Sequence, residues 1–231
     1  MNNQNRGNLM KYLLTGLLIA LGSIAHSANI DYNVDSNGNP RIIYQGNVEV
    51  GDAQTLNWML LSKPVNYVIM HSPGGSATEG QRIGQVLSNH EATVWVPPGS
   101  FCLSACAEAF IGAKEYRIEG ALGFHTAWFK ADPGIDYNEL FKHGQAQGAS
   151  TTRYILANGF NINLALLINY HTDAKNFLVF FSEEDLAKFF ARSETDTITE
   201  YLEGPDFELT DDWLDLHIMD GPRLFRYLGY T

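Results

Sequence analysis

Two apolar runs that each stop on a proline–glycine turn restrict this chain most: 65–70 before Pro73-Gly74-Gly75, and 92–96 before Pro97-Pro98-Gly99. Both are short and rich in β-branched and aromatic residues, so both read as buried strands. Between them, residues 79–87 carry Ile83, Val86 and Leu87 at helical spacing, and a second apolar helix-like run begins at about Ser104. Strand, helix, strand, helix is the rhythm of a parallel sheet joined by right-handed crossovers, and the fold class expected is α/β. A strand over 41–45 and a helix over 53–61 precede this unit. Short strands over 115–118 and 121–124, helices over 137–158 and 162–170, a strand over 177–181 and a helix over 183–191 capped by Ser182 follow it. No repeat or low-complexity linker interrupts the pattern. With 45% apolar residues among 231, one large domain has enough material for its core.

The first 27 residues stand apart. Arg6 and Lys11 come without an acidic residue, an apolar stretch over 12–25 follows, and Ala25-His26-Ser27 precede Ala28. This is the layout of a secretory signal peptide, with an uncleaved N-terminal anchor as the alternative. The expected location is periplasmic or secreted. The formal charge is −11; removing the segment takes away two of the fifteen basic residues and no acidic one, leaving −13. So acidic a chain with no basic cluster is a poor partner for nucleic acid or for a membrane beyond its signal segment.

Cys102 and Cys106 flank Ser104 and are the only cysteines. In an oxidising compartment they can close a disulfide, since i,i+4 helical spacing puts Cα atoms about 6 Å apart. The alternative is two buried thiols. So short a loop gains about 2 kcal/mol from chain entropy, and its main effect is local rigidity. Two thiols without a third ligand at metal spacing make zinc improbable.

Loops leaving the carboxyl ends of parallel strands share one crevice, which groups the Gly74-Gly75 turn with Ser104. Glycine there can bare a backbone N–H, and the amides of Gly75 and Ala105 are candidates for an oxyanion hole. Ser104 is either an ordinary helix N-cap or a hydroxyl nucleophile. His125, after the 121–124 strand, is the candidate base because imidazole titrates near neutral pH. Asp173 is the first candidate to orient it, with Asn176 and Asp132 as alternatives. No nucleotide or metal fingerprint is present, so no cofactor is expected.

Ser72-Pro73-Gly74-Gly75-Ser76 with Gly80, Ser104 heading a helix that ends Phe110-Ile111-Gly112-Ala113, and His125 after the next strand resemble the Clp-type serine peptidases and the wider ClpP/crotonase-like superfamily. The Cys-x-Ser-x-Cys pattern with a downstream Gly-Phe-His is similar to that of exported bacterial ClpP-like proteins. The resemblance implies a domain of repeated ββα units over 28–195, with a parallel sheet flanked by helices. It implies Ser104 as nucleophile, His125 as base and the Gly75 and Ala105 amides as oxyanion hole. It also implies assembly as trimers, paired trimers or rings. The chain departs from the family at three points: His71 stands where Asn is usual, no glycine closely follows Ser104, and Asp173 falls slightly early. The function expected is an ATP-independent serine peptidase acting on a peptide or protein, with a catalytically inactive binding or assembly module as the alternative. Export disfavours acyl-CoA chemistry. The acidic, aromatic stretch over 196–231 suggests no chemistry and is expected to pack on the same domain.

Overall fold

The computed structural model describes residues 27–126, 134, 136–190 and 210–230; all but the last residue of the expected signal segment over 1–27 lie outside them. Among the described residues, nine strands and eight helices follow in chain order. They are β1 (Asn29–Val34), β2 (Pro40–Gln45), α1 (Asp52–Ser62), β3 (Tyr67–His71), α2 (Ala77–Asn89), β4 (Thr93–Val96), β5 (Phe101–Leu103) and α3 (Ala105–Ile111). Then come β6 (Glu115–Ile118), β7 (Ala121–Phe124), α4 (Tyr137–Ala157), α5 (Ile162–His171), β8 (Asn176–Phe180), α6 (Glu183–Ala187), α7 (Asp211–His217), β9 (Ile218–Asp220) and α8 (Gly221–Tyr227).

The parallel sheet expected from the punctuated strands is present as β2-β3-β4-β6, with β1 added antiparallel at the edge of β2. Alternate side chains enter the core: Ile42 and Tyr44, Val68 and Met70, Val94 and Val96 are all fully buried. Each such side chain contributes about 1.5–3 kcal/mol of hydrophobic stabilisation. Helix α2 adds Ile83 and Leu87 to the same core. Its first turn is capped by Ser76, whose hydroxyl accepts from the Glu79 N–H.

The single parallel sheet of repeated ββα units needs correction. A second sheet, ordered β5-β7-β8-β9, pairs β5 parallel to β7 and then runs antiparallel to its edge. Its first strand has only three residues, too few to show a period, and Ser104 leaves this strand instead of the loop after β4. The two sheets meet at one bridge, where the Ser72 N–H donates to the Phe101 carbonyl (2.8 Å) and the Leu103 N–H to the Ser72 carbonyl (2.9 Å).

The C-terminal stretch, silent as chemistry, is structural in its described part. Strand β9 pairs with β8, and Phe225 and Tyr230 lie edge-on to Phe101 at 5.4 and 5.9 Å between ring centroids. The Tyr230 hydroxyl donates to the Gly99 carbonyl (2.6 Å). Among the described residues no helix is long and apolar enough to cross a membrane.

Candidate active site

Register brings serine and histidine together. Strands β5 and β7 pair in parallel with Leu103 opposite Gly123, so Ser104 and His125 both emerge from the carboxyl ends of adjacent strands. The Ser104 N–H donates to the Gly123 carbonyl (2.7 Å), and Ser104 Oγ lies 2.7 Å from His125 Nε2. A Cβ at Gly123 would sit 2.6 Å from Leu103 Cδ2, so the glycine leaves room for the Leu103 side chain just before the site.

Ser104 heads α3 but does not cap it. An N-cap serine has extended backbone, and its hydroxyl accepts an N–H from the first turn. Ser104 instead has φ 58° and ψ −124°, and its side chain makes no capping bond. Such a conformation costs a non-glycine residue about 1–3 kcal/mol. It turns the hydroxyl away from the helix and toward the imidazole.

Cys102 and Cys106 are joined as a disulfide, with Cα atoms 5.1 Å apart and both residues fully buried. The supposed helical spacing is corrected, because Cys102 is on β5 and Cys106 is in α3. The bridge therefore ties strand to helix on either side of Ser104. No cysteine is free, which leaves no thiol nucleophile here.

The Pro73-Gly74-Gly75 turn lies against the serine. Gly74 has φ 97°, and a Cβ on it would stand 2.6 Å from Ser104 Cβ and 3.0 Å from the Ala105 nitrogen. Gly75 has φ 152° and packs on the Val48 main chain, where the Val48 N–H donates to the Gly74 carbonyl (2.9 Å) and the Ser76 N–H to the Val48 carbonyl (2.8 Å). Neither the Gly75 nor the Ala105 N–H is spent on a hydrogen bond to another described residue. Gly75 lines the pocket, and Ala105 follows Ser104 directly at the start of α3.

His125 is held from behind. The Thr126 N–H donates to Thr172 Oγ1 (2.8 Å), and the Thr126 hydroxyl donates to the Ile168 carbonyl (3.1 Å), fixing the chain after His125 to the end of α5. The Phe177 ring meets the imidazole at 4.8 Å between centroids. Burial pushes the His125 pKa below its ordinary value; the main chain of Asp173 and Thr126 and the charge of Asp173 pull upward more weakly. Neutral imidazole, the form that accepts a proton, is thereby favoured.

The Asp173 carboxylate is not brought to the imidazole. It accepts the N–H groups of Lys175 (2.7 Å) and Asn176 (3.0 Å) and the Asn176 side-chain amide (3.1 Å), closing its own exposed turn. An aspartate that precedes two free amides closes an Asx turn more readily than it reaches another element. The same contacts occupy Asn176, and Asp132 lies outside the described residues. Buried His125 Nδ1 makes no well-formed hydrogen bond among the described residues, and Asp173 acts on the imidazole through its main chain and its charge, not as a bonded carboxylate.

These groups open into a pocket of about 450 Å³ lined by Ser104, His125, Pro73, Gly74, Gly75, Ala174, Phe177, Asn47 and Glu49. The last two were missed in the sequence. Their signal was the alternation Asn47-Val48-Glu49, in which buried Val48 turns its neighbours toward the other side. Among the described residues no group of three or more His, Cys, Asp and Glu side chains could hold a metal ion. His71, the departure from the family pattern, lies behind the site with its ring 4.3 Å from that of Phe101.

No protein-family model matches the chain, and no curated protein matches it in sequence. Among solved structures, a membrane-bound stomatin-specific protease, 1510-N, in a serine-to-alanine mutant form, aligns at 16% identity. The alignment covers 70% of this chain and 81% of that chain, with a TM-score of 0.45.

Proposed function

We propose that this chain is an exported serine hydrolase of ClpP/crotonase-like type, a peptidase that works through an acyl-enzyme on Ser104. One observation carries the reading: Ser104 has given up the capping geometry of a helix-start serine and sits in a strained backbone state with Oγ 2.7 Å from His125 Nε2. Strain of that kind persists only where surrounding structure over-determines it, and here β5, α3 and the disulfide hold both ends.

In the proposed reaction Ser104 Oγ attacks the scissile carbonyl carbon while His125 Nε2 takes the hydroxyl proton. The Gly75 and Ala105 amides donate to the oxyanion. Collapse of the tetrahedral intermediate breaks the C–N bond, and the imidazolium returns its proton to the departing amine. Water, deprotonated by the same nitrogen, then releases the acyl group and regenerates Ser104. Base catalysis supplies about 10²–10⁴-fold and each oxyanion donor about 10²–10³-fold. His125 acts in a dyad, its ring oriented by the Thr126–Thr172 staple and by Phe177 instead of a carboxylate.

A peptide or protein substrate is favoured by the sequence resemblance and by the exposed rim of the pocket at Asn47, Pro73, Gly75 and Ala174, which suits an extended chain. The disulfide supports export, since such bonds persist in oxidising compartments. Assembly into trimers or rings rests on the resemblance alone, and the reaction as written uses no cofactor. A second reading, a binding module that keeps the fold without the activity, draws on the lack of a carboxylate bonded to His125 Nδ1.

A fluorophosphonate probe separates the two. The native mature protein is expected to label once per chain at Ser104 and the Ser104→Ala protein not at all. A native protein that resists labelling favours the binding module.

A further inference from the structure

The pocket has a second wall that the acyl-transfer chemistry does not use. The segment after β2 runs beside the glycine turn as a ledge held at every step. The Val48 main chain is bonded to Gly74 and Ser76, and the Glu49 N–H donates to Asp52 Oδ2 (2.9 Å). The Gly51 N–H donates to Glu79 Oε1 (3.0 Å). Asp52 and Glu79 are themselves buried, and the Tyr44 hydroxyl holds Asp52 from below (2.6 Å). Val48 points into the core, so Asn47 and Glu49 project together into the pocket that holds Ser104.

The Glu49 carboxylate is half-buried there and takes no hydrogen bond or ion pair from any described residue, although its main chain is fixed. The neighbouring acid, Asp173, is by contrast satisfied by its own turn. A rigidly mounted carboxylate without a cation, in a pocket that also holds a serine–histidine pair, is a charge left for the substrate to complement.

We infer that Glu49, assisted by the Asn47 amide, selects substrates that carry a cationic group next to the reacting carbonyl: a lysine or arginine side chain, or a free N-terminal amine. The inference rests on the serine-hydrolase reading of the same pocket. Glu49 acts by binding and takes no part in proton transfer.

Aryl phosphonate probes that differ only in one side chain test it, an aminobutyl group against the isosteric pentyl group, with the rate of Ser104 modification as readout. The cationic probe is expected to react about fivefold faster at low salt, with the ratio shrinking as salt screens the half-exposed pair. Glu49→Gln should bring the ratio close to one, and Glu49→Lys should invert it in favour of a carboxylate-bearing probe. Probes with a free or an acetylated amino terminus distinguish the two cation sources. Equal rates for charged and uncharged probes, or an unchanged ratio in Glu49→Gln, overturn the inference while leaving the hydrolase intact. Failure of every probe, fluorophosphonate included, overturns both. Because Glu49→Gln preserves shape and the main-chain bond to Asp52, its melting temperature should match the parent and a lost ratio is not a folding defect.

Discussion

Two turns of nearly the same composition close neighbouring strands of one sheet, yet only one belongs to the site. Pro73-Gly74-Gly75 follows β3 and Pro97-Pro98-Gly99 follows β4. Gly74 and Gly99 both have positive φ, 97° and 74°. At Gly99 the space where a Cβ would stand holds nothing within 4 Å; at Gly74 it meets Ser104, Leu103 and Ala105. One glycine is required by backbone conformation alone, the other by conformation and by the close approach of Ser104. A Pro–Gly pair reports that the chain turns, but not what the turn faces.

Substitution should pull these two turns apart. Gly74→Ala is expected to have the largest effect, lowering kcat/KM by at least about 10²-fold and stability by about 2 kcal/mol or more, because both strain and overlap fall on Ser104. A Gly74→Ala protein that stays fully active by steady-state assay would erase the distinction. The Asp173 turn extends the contrast, since its carboxylate is spent on its own amides. Asp173→Asn should cost less than tenfold in kcat, where loss of a true triad carboxylate costs about 10⁴-fold.

The pH profile follows from burial of His125 beside the Gly74 turn. Activity needs the neutral imidazole, so kcat/KM should fall only as pH drops below the ordinary imidazole value near 6.5. The unfolded chain binds the His125 proton more readily than the folded one, so this residue also removes stability as pH falls through the same range. Buried Glu108, pushed up to about 7 mainly by desolvation, has the opposite sign, and its contribution is lost as pH rises from the ordinary carboxylate range through 7. Glu108→Gln should therefore steepen the net loss of stability on acidification, measured by melting temperature from pH 5 to 8. The smallest effect is expected at Gly99, where Gly99→Ala should cost about 1 kcal/mol of stability through φ alone and change kcat/KM less than twofold.

Periodicity carried the first sheet, because β3 and β4 send alternate side chains, Val68 and Met70, Val94 and Val96, into the core and α2 shows its stripe of Ile83 and Leu87. The second sheet was hidden. Strand β5 is three residues long, and β9 is formed by pairing with β8, a long-range contact that leaves little mark on three residues. Ser104, His125, Gly75 and Ala105 drew notice because each lies just beyond the end of a strand or at the start of a helix. The Asp173 assignment failed for a local reason, as nearby amides satisfied its carboxylate first. Glu49 escaped notice because its place in the pocket depends on Val48 bridging to Gly75, two segments apart in sequence.

The backbone at Ser104 also gives neutral drift a direction. Glycine adopts φ 58° without the penalty that serine carries, whereas alanine keeps it. A lineage that no longer needed the hydroxyl would gain stability in one step by exchanging this serine for glycine, and natural variation would run downhill toward inactivity. Ser104→Gly should accordingly melt higher than Ser104→Ala, which makes the serine a position that drift erodes unless selection for chemistry maintains it.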